Sequence, residues 1–98
     1  MPLSNSQRRY LRGLAHHLKV IVMIGAKGLS ETVVKELDRA LLDHELVKIK
    51  VGAADRQARA EMIEAMATAS KSEVVQSIGH TVCLYREHPE NPQLALPR

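Results

Sequence analysis

The chain has 98 residues, of which 45% are hydrophobic and 26% charged, and its formal net charge is +3. This length and composition are typical of one globular domain with its own core. Cys83 is the single cysteine, which excludes an intramolecular disulfide and indicates a small packed side chain rather than a nucleophile. Because no apolar run has the length of a signal peptide or a membrane span, we expect a cytoplasmic protein.

Positive charge is concentrated near the beginning of the chain. Residues 1–30 contain five Lys or Arg and no Asp or Glu, whereas residues 31–98 contain nine basic and eleven acidic residues. This asymmetry indicates either a polyanionic partner or an unevenly charged solvated surface, and charge alone does not decide between them. The basic residues of the first part are Arg8, Arg9, Arg12, Lys19 and Lys27.

The first half of the chain predicts a helix, a strand and a second helix. Ser4 begins an S-x-x-Q capping pattern, and leucines at helical spacing follow it, which predicts a helix over 5–17. Five consecutive apolar residues predict a buried strand over Val20–Ile24. Ser30 is a good N-cap for a helix that extends to about residue 44.

The second predicted strand, Leu46–Val51, has one face for the core. Apolar residues alternate from Val47 onward and point inward, so Lys48 and Lys50 lie on the opposite face. Both lysines are compatible with a nucleic-acid surface or with charges that protect a sheet from aggregation.

The last predicted elements are a helix and a hairpin. Asp55 is the expected N-cap of a third helix, and strands over 73–78 and 81–86 follow. Gly79 is the first residue of a two-residue hairpin turn between these strands. We therefore expect one domain over 1–86 and, because of its prolines, an extended tail over 87–98.

The predicted order, α-β-α-β-α-β-β, defines the fold class. Strands one to three are joined by helices and should run parallel, with right-handed crossovers that progress in one direction and place both connecting helices on one face. The fourth strand should be antiparallel to the third. The result is a two-layer α/β (α+β) domain with a four-stranded mixed sheet, whose other face is partly open and carries Lys48 and Lys50.

A G-x-x-G motif follows the first strand: Gly25, Ala26, Lys27 and Gly28. A glycine turn that opens a helix presents backbone amides and the positive end of the helix dipole, which favours phosphate. The same pattern is also common as an ordinary strand-to-helix turn. Glu31 lies in the first turn of the helix, so its carboxylate must point away from any bound phosphate.

Several segments of the chain resemble the YhbY-like CRM family, named for chloroplast RNA splicing and ribosome maturation. They are the opening S-x-x-Q, Arg-x-Leu-x-Gly-Leu-Ala-His, Ile-Gly-x-x-Gly-Leu after the first strand, His-Glu-Leu-Val-Lys-Ile-Lys and the final Leu-Pro-Arg. The resemblance implies a fold similar to the C-terminal domain of translation initiation factor 3. It also implies RNA binding, with the motif at 25–28 in the binding loop, and association with rRNA in precursors of the large ribosomal subunit.

The remaining candidate residues surround that motif. Arg8 and Arg12 share one face of the first helix, Arg9 flanks them, and Lys19 follows the helix. The chain contains two Tyr and no Phe or Trp, so few bases can stack on aromatic rings. We therefore expect recognition of the RNA backbone and shape rather than of a sequence, with marked salt dependence.

Catalysis is not expected. The histidines form no metal-ligand spacing and no nucleophile–base pair, and the glycine motif is too short for a nucleotide-binding P-loop. No cofactor, metal or small-molecule substrate is implied. Two alternatives to RNA binding remain: a DNA-coating chromatin-type protein of related topology, and a protein-binding module that uses the open sheet face or the 94–96 segment. A monomer is the default state.

Overall fold

The computed structural model describes residues 3–25, 28–52 and 55–97. Its elements follow the predicted order, α-β-α-β-α-β-β. The helices are α1 (Asn5–Ala15), α2 (Glu31–His44) and α3 (Arg56–Ser70), and the strands are β1 (Val20–Ile24), β2 (Leu46–Val51), β3 (Glu73–Ile78) and β4 (Thr81–Tyr85).

Each helix begins at the predicted N-cap. The Ser4 hydroxyl accepts a hydrogen bond from the Gln7 amide, and the Gln7 side chain accepts one from the Ser4 amide at 3.0 Å, which completes the capping box. The Ser30 hydroxyl accepts from the Val33 amide and the Asp55 carboxylate accepts from the Ala58 amide, so each side chain caps its helix. Helix α1 ends at Ala15, two residues earlier than predicted.

The strand order is β1-β2-β4-β3, which differs from the predicted progression. Strand β2 is parallel to β1, but its other neighbour is β4, and β3 lies at the edge. Four of the five residues of β4 are buried, whereas β3 is partly polar and has one buried residue. The more apolar strand of the hairpin therefore takes the central position, where both sheet faces are covered.

One face of the sheet packs against α2 and α3, as predicted. The main core lies between them and includes Ile49 and Leu84 from the sheet, Leu37 and Leu41 from α2, and Met66 from α3. All five side chains are fully buried. Because this core has more buried apolar residues than the second core on the other sheet face, it contributes more to the folding free energy.

A second, smaller core lies on the other face of the sheet. Leu11 and Ala15 of α1 pack there against Leu46, Val75 and Tyr85. Leu94 and Leu96 of the C-terminal segment extend this cluster. The mixed four-stranded α+β fold is as predicted, and α1 with the C-terminal segment adds partial cover on the face that was expected to be partly open.

Strand β1 is only half buried, contrary to the prediction of a buried strand. Val22 and Ile24 belong to the main core, but Ile21 is 46% exposed and Met23 is 70% exposed. The five apolar residues of β1 predicted burial on both faces. Because β1 is an edge strand that α1 does not cover, its second face is open to solvent.

The C-terminal segment, 86–97, has no helix or strand but is folded back onto the domain. Its anchor is Glu45, which is 1% exposed. One carboxylate oxygen of Glu45 accepts from the His88 amide at 2.7 Å, and the other accepts from the Gln93 and Leu94 amides at 2.8 Å each. A buried carboxylate with three amide donors is well compensated, so it can hold an irregular segment in place.

Candidate nucleic-acid interface

The glycine turn, residues 25–28, follows the carboxyl end of β1. Gly28 has a φ of +84°, which an L side chain rarely adopts, and its amide donates to the Gly25 carbonyl at 3.1 Å. The Gly28 amide therefore closes the turn. A side chain added at Gly25 would meet no atom within 4 Å, so this glycine lies against open space. Ala26 and Lys27 of the predicted site lie outside the described residues.

The first turn of α2 adjoins the glycine turn. The Ser30 hydroxyl accepts from the Val33 amide at 3.2 Å, while the amides of Glu31 and Thr32 donate to no group that the structure describes. The Glu31 carboxylate lies 3.5 Å from the Lys35 ammonium, one helical turn further along. Its negative charge is thus directed along α2, as the phosphate hypothesis requires.

Gly52 supports the turn from the end of β2, a role that the sequence analysis missed. Its amide donates to the Ile24 carbonyl at 2.7 Å, and a Cβ on Gly52 would lie 2.9 Å from that same oxygen. Only glycine fits this approach without a shift of the backbone. The only sequence signal is a glycine directly after an alternating strand.

His80 links two strands at the end of the sheet where Gly52 lies. Its carbonyl accepts from the Val51 amide at 2.7 Å, and its Nδ1 lies 3.1 Å from the Val51 carbonyl oxygen. These contacts join the β3–β4 hairpin to β2. Gly79 has a positive φ of +57°, in agreement with the predicted glycine-first turn.

Lys48 and Lys50 lie on the sheet face opposite the main core, as predicted. Lys50 pairs with Met23 of β1 and with Thr81 of β4, and Thr81 pairs with Ile78 of β3. These residues form one row across all four strands. We use the term open face for this row together with Ile21, Lys48 and Gln76.

The charges of the open face are not neutralised by neighbouring side chains. Lys48 is half-buried and Lys50 exposed, and neither forms an ion pair with another described residue. Among the strand positions defined as the open face, none is acidic. An uncompensated cation on a carboxylate-free surface favours an anionic partner.

The basic residues of α1 have different environments. The Arg8 guanidinium lies 3.5 Å from a Glu73 carboxylate oxygen and donates to the Val74 carbonyl, so it attaches α1 to β3. Arg9 and Arg12 are exposed and have no ion pair among the described residues. Of the three arginines, these two are the better placed for an external anion.

Lys19 and Lys48 line one groove of about 320 Å³ between the end of α1 and strands β1 and β2. Its apolar lining includes Leu14, Leu18 and Ile21. Lys48 also faces a second depression beside His16 and Ile78. Lys48 is therefore at the centre of the surface between α1 and the open face.

The predicted residues that the structure describes lie at three places: the glycine turn, strand β2 and the region of α1. The glycine turn is at the carboxyl end of β1, beside Gly52. Helix α1 packs at the other end of the sheet, against Leu46 and Tyr85. Lys48 and Lys50 belong to β2 and lie between these two ends of the sheet.

Neither Cys83 nor Tyr85 is a reactive group of this surface. Burial raises the pKa of the Cys83 thiol, although the charge of Lys48 opposes the shift, and the side chain packs in the second core, as predicted. Burial, together with the carboxylates of Glu45 and Glu87, raises the pKa of Tyr85 to about 12. Tyr85 lies in the second core and is unavailable for base stacking, which leaves the half-exposed Tyr10.

The part of the chain that the structure describes contains neither a cluster of metal ligands nor a membrane-spanning helix. Within residues 3–25, 28–52 and 55–97, no three His, Cys, Asp or Glu side chains are grouped to hold a metal ion. In the same ranges, no helix combines the length and apolar character needed to span a membrane.

Residues 3–86 match the family model described as the CRS1 / YhbY (CRM) domain. The chain belongs to the CRM domain family. This assignment confirms the resemblance carried by the glycine motif and its flanking segments. The match covers every helix and strand of the domain.

Relatives of this CRM domain are described as RNA-binding proteins. A Haemophilus influenzae "RNA-binding protein" is 46% identical over 96 residues, which cover 98% of this chain and 96% of that protein. The Bacillus subtilis "Probable RNA-binding protein YqeI" is 38% identical over 95 residues, which cover 97% of this chain and 99% of the relative.

A solved structure shares the fold of the CRM domain. The solution structure of a hypothetical Staphylococcus aureus protein, described as a candidate RNA-binding protein, has a TM-score of 0.85 and 38% sequence identity. The similarity covers 98% of this chain and 100% of the other. The four-stranded mixed sheet with three helices is thus an experimentally known arrangement.

Proposed function

We propose that this protein binds rRNA in precursors of the large ribosomal subunit and assists their maturation without catalysing a reaction on the RNA. The observation that carries the proposal is that the glycine turn shares the sheet with Lys50 and Lys48, which form no ion pair among the described residues, in a domain whose relatives are described as RNA-binding proteins. The protein acts as a monomer in the cytoplasm.

Backbone contact at the turn is the first part of the mechanism. Gly25 leaves room for a sugar-phosphate chain to approach, and the N-terminal amides of α2 favour its negative charge. Lys27 supplies an ammonium to the same phosphate. The remaining phosphates lie along the basic residues Arg9, Arg12, Lys19, Lys48 and Lys50, while Arg8 contributes mainly by holding α1.

The first experiment measures RNA affinity for Lys27→Glu and Gly25→Val. We expect each variant to lose at least about tenfold in affinity at unchanged circular dichroism, because one reverses a charge and the other blocks approach. Lys71→Glu is the matched charge control, since Lys71 lies at the end of α3 and outside the proposed surface. Wild-type affinity in both turn variants would contradict the proposal.

Gly28→Val is a poor substitute for Gly25→Val. The positive φ of Gly28 would strain any side chain, so a loss of binding there would be mixed with a loss of stability. Gly25 is therefore the position that tests approach alone.

The second experiment identifies the partner in cells. A tagged copy is followed by gradient sedimentation of lysate, and we expect it to migrate with immature large subunits. Titrations with RNA and with duplex DNA at the same salt concentration distinguish RNA binding from the DNA-coating alternative. An RNA-binding protein should have the higher affinity for RNA under these matched conditions. Migration of the tagged copy with DNA, or only in the fractions of free protein at the top of the gradient, would overturn the assignment.

A further inference from the structure

The open face combines exposed apolar side chains with uncompensated cations. Met23 is 70% exposed and Ile78 is 62% exposed, and both belong to the row that contains Lys50. These two large apolar side chains lie at opposite edges of the sheet, with Lys50 and Thr81 between them, so each exposes apolar surface beside a polar or charged neighbour. Charge and apolar character therefore occur together on the part of the sheet face that α1 leaves exposed.

We propose that the open face binds an unpaired stretch of the RNA, whose nucleobases lie on Met23 and Ile78 while its phosphates contact Lys48 and Lys50. This inference rests on the proposed function and names the form of RNA that the surface takes. The two apolar residues are separated by three strand spacings, or about 14 Å, so one extended strand can contact both.

An unpaired strand fits this chemistry better than a duplex. In a duplex the bases are stacked, and the backbone that faces the protein is charged and polar, so Met23 and Ile78 would find no apolar partner. An unpaired base offers its flat face, and a methionine sulfur makes favourable contacts with aromatic rings. The side chains replace the aromatic platform that this chain lacks.

Lys48 connects the open face to the groove beside α1. Lys48 lines that groove with Leu18, Lys19 and Ile21. It lies two residues before Lys50 on β2, on the same face of the sheet. The bound strand can therefore continue from the glycine turn, across the sheet, to the end of α1. This path passes the lysines without meeting a carboxylate at the strand positions of the open face.

The test uses the double variant Met23→Thr/Ile78→Thr in the full chain. Threonine keeps the preference for a strand but removes most of the apolar surface. The probes are an unstructured RNA oligonucleotide and an RNA duplex of equal length. We expect a roughly fivefold to tenfold loss of affinity for the unpaired RNA and less than a twofold change for the duplex.

Two further variants separate the apolar contribution from charge. Leu42→Gln is the matched control, because Leu42 is an exposed apolar residue on α2, which packs on the opposite face, and its loss should leave both affinities unchanged. Lys48→Gln/Lys50→Gln should lower the slope of log affinity against log salt by about 1.4, since each phosphate contact to a single strand contributes about 0.7. The apolar double variant should keep the wild-type slope.

The outcomes distinguish this inference from the proposed function. If the apolar double variant binds unpaired RNA as tightly as the wild type while Lys27→Glu loses binding, the open-face proposal is overturned and the RNA-binding function stands. An equal loss for duplex and unpaired RNA also overturns it. So does sedimentation velocity showing a wild-type dimer that the double variant lacks, since the face would then bind a second copy.

Discussion

The two faces of the sheet differ in which elements cover them and in how those elements are attached. Helices α2 and α3 cover one face, where side chains such as Leu41 and Ile49 are fully buried. On the other face α1 covers only one end, and polar contacts assist the apolar ones. Arg8 attaches α1 to β3, and Glu45 holds the C-terminal segment.

This difference separates stability from binding. The main core is enclosed and closely packed, so it tolerates little change in volume. The second face keeps a small core at one end and leaves Met23, Lys50 and Ile78 exposed at the other. The domain can therefore present a binding surface on its sheet without exposing the core that maintains its fold.

The same substitution, Leu→Ala, in each of the two cores tests whether they contribute differently to the free energy of unfolding. Leu41→Ala in the main core should lower the free energy of unfolding by about 4 kcal/mol, because the enclosed site cannot collapse around the cavity. Leu11→Ala in the second core should cost about 2–3 kcal/mol, because α1 can shift over the smaller cluster. Urea denaturation measures both, and equal losses would show that the two cores do not differ in the cost of a cavity.

Glu45→Gln tests the polar anchor of the second face. The amide has one acceptor oxygen instead of two and turns an NH₂ group toward backbone donors, so we expect a loss of about 2 kcal/mol. Hydrogen exchange should show loss of protection at the Gln93 and Leu94 amides. Asp43→Asn, which removes an exposed ion pair with Arg39, is the control and should cost less than about 0.5 kcal/mol.

Unchanged protection at 93–94 in the Glu45→Gln variant would show that apolar contacts alone hold the segment. The comparison between the two faces would then lose its main support.

The pH dependence of stability follows from the pKa of Glu45. Burial raises this pKa, but the amide donors at His88, Leu94 and Gln93 outweigh burial and hold it below its ordinary value of 4.5. The charged carboxylate therefore stabilises the fold above pH 4.5, and this contribution disappears as pH falls through the lowered folded-state pKa. Urea denaturation between pH 7 and pH 3 should show the gap between wild type and Glu45→Gln closing at the acid end. A constant gap would contradict the assignment.

Arg8→Ala is expected to lower stability by only about 1 kcal/mol, because the Glu73 carboxylate and Arg8 side chain are partly solvated. Its effect on RNA affinity should be smaller than that of Arg12→Ala, since the Arg8 charge is already shared with Glu73. A larger affinity loss for Arg8→Ala than for Arg12→Ala would place Arg8 in the interface and α1 closer to the RNA than we infer.

Local patterns predicted the elements of this fold well. The N-caps Ser4, Ser30 and Asp55 and the alternation in β2 depend on neighbouring residues, so they can be read from the sequence. The position of β4 between β2 and β3 depends on long-range pairing and on which hairpin strand is more apolar. Periodicity carries no information about such a choice between neighbours.

The candidate site was only partly accessible to sequence reasoning. The glycine turn and the outward direction of Lys48 and Lys50 followed from motif and alternation. The exposure of Met23 did not, because a strand that is apolar on both faces has the same sequence whether one face is covered or open. Glu45 gave no signal either, since its carboxylate acts on a segment more than forty residues away.

Each outer strand of the sheet, β1 and β3, has an irregularity in its hydrogen-bonded pairing with the neighbouring strand. The register shifts between Val20 and Val22 in β1, and again between Val74 and Gln76 in β3. Such irregularities prevent a further strand from adding cleanly at either margin. The two margins of the sheet are therefore poor templates for strand addition, even though apolar residues such as Met23 and Ile78 are exposed next to them.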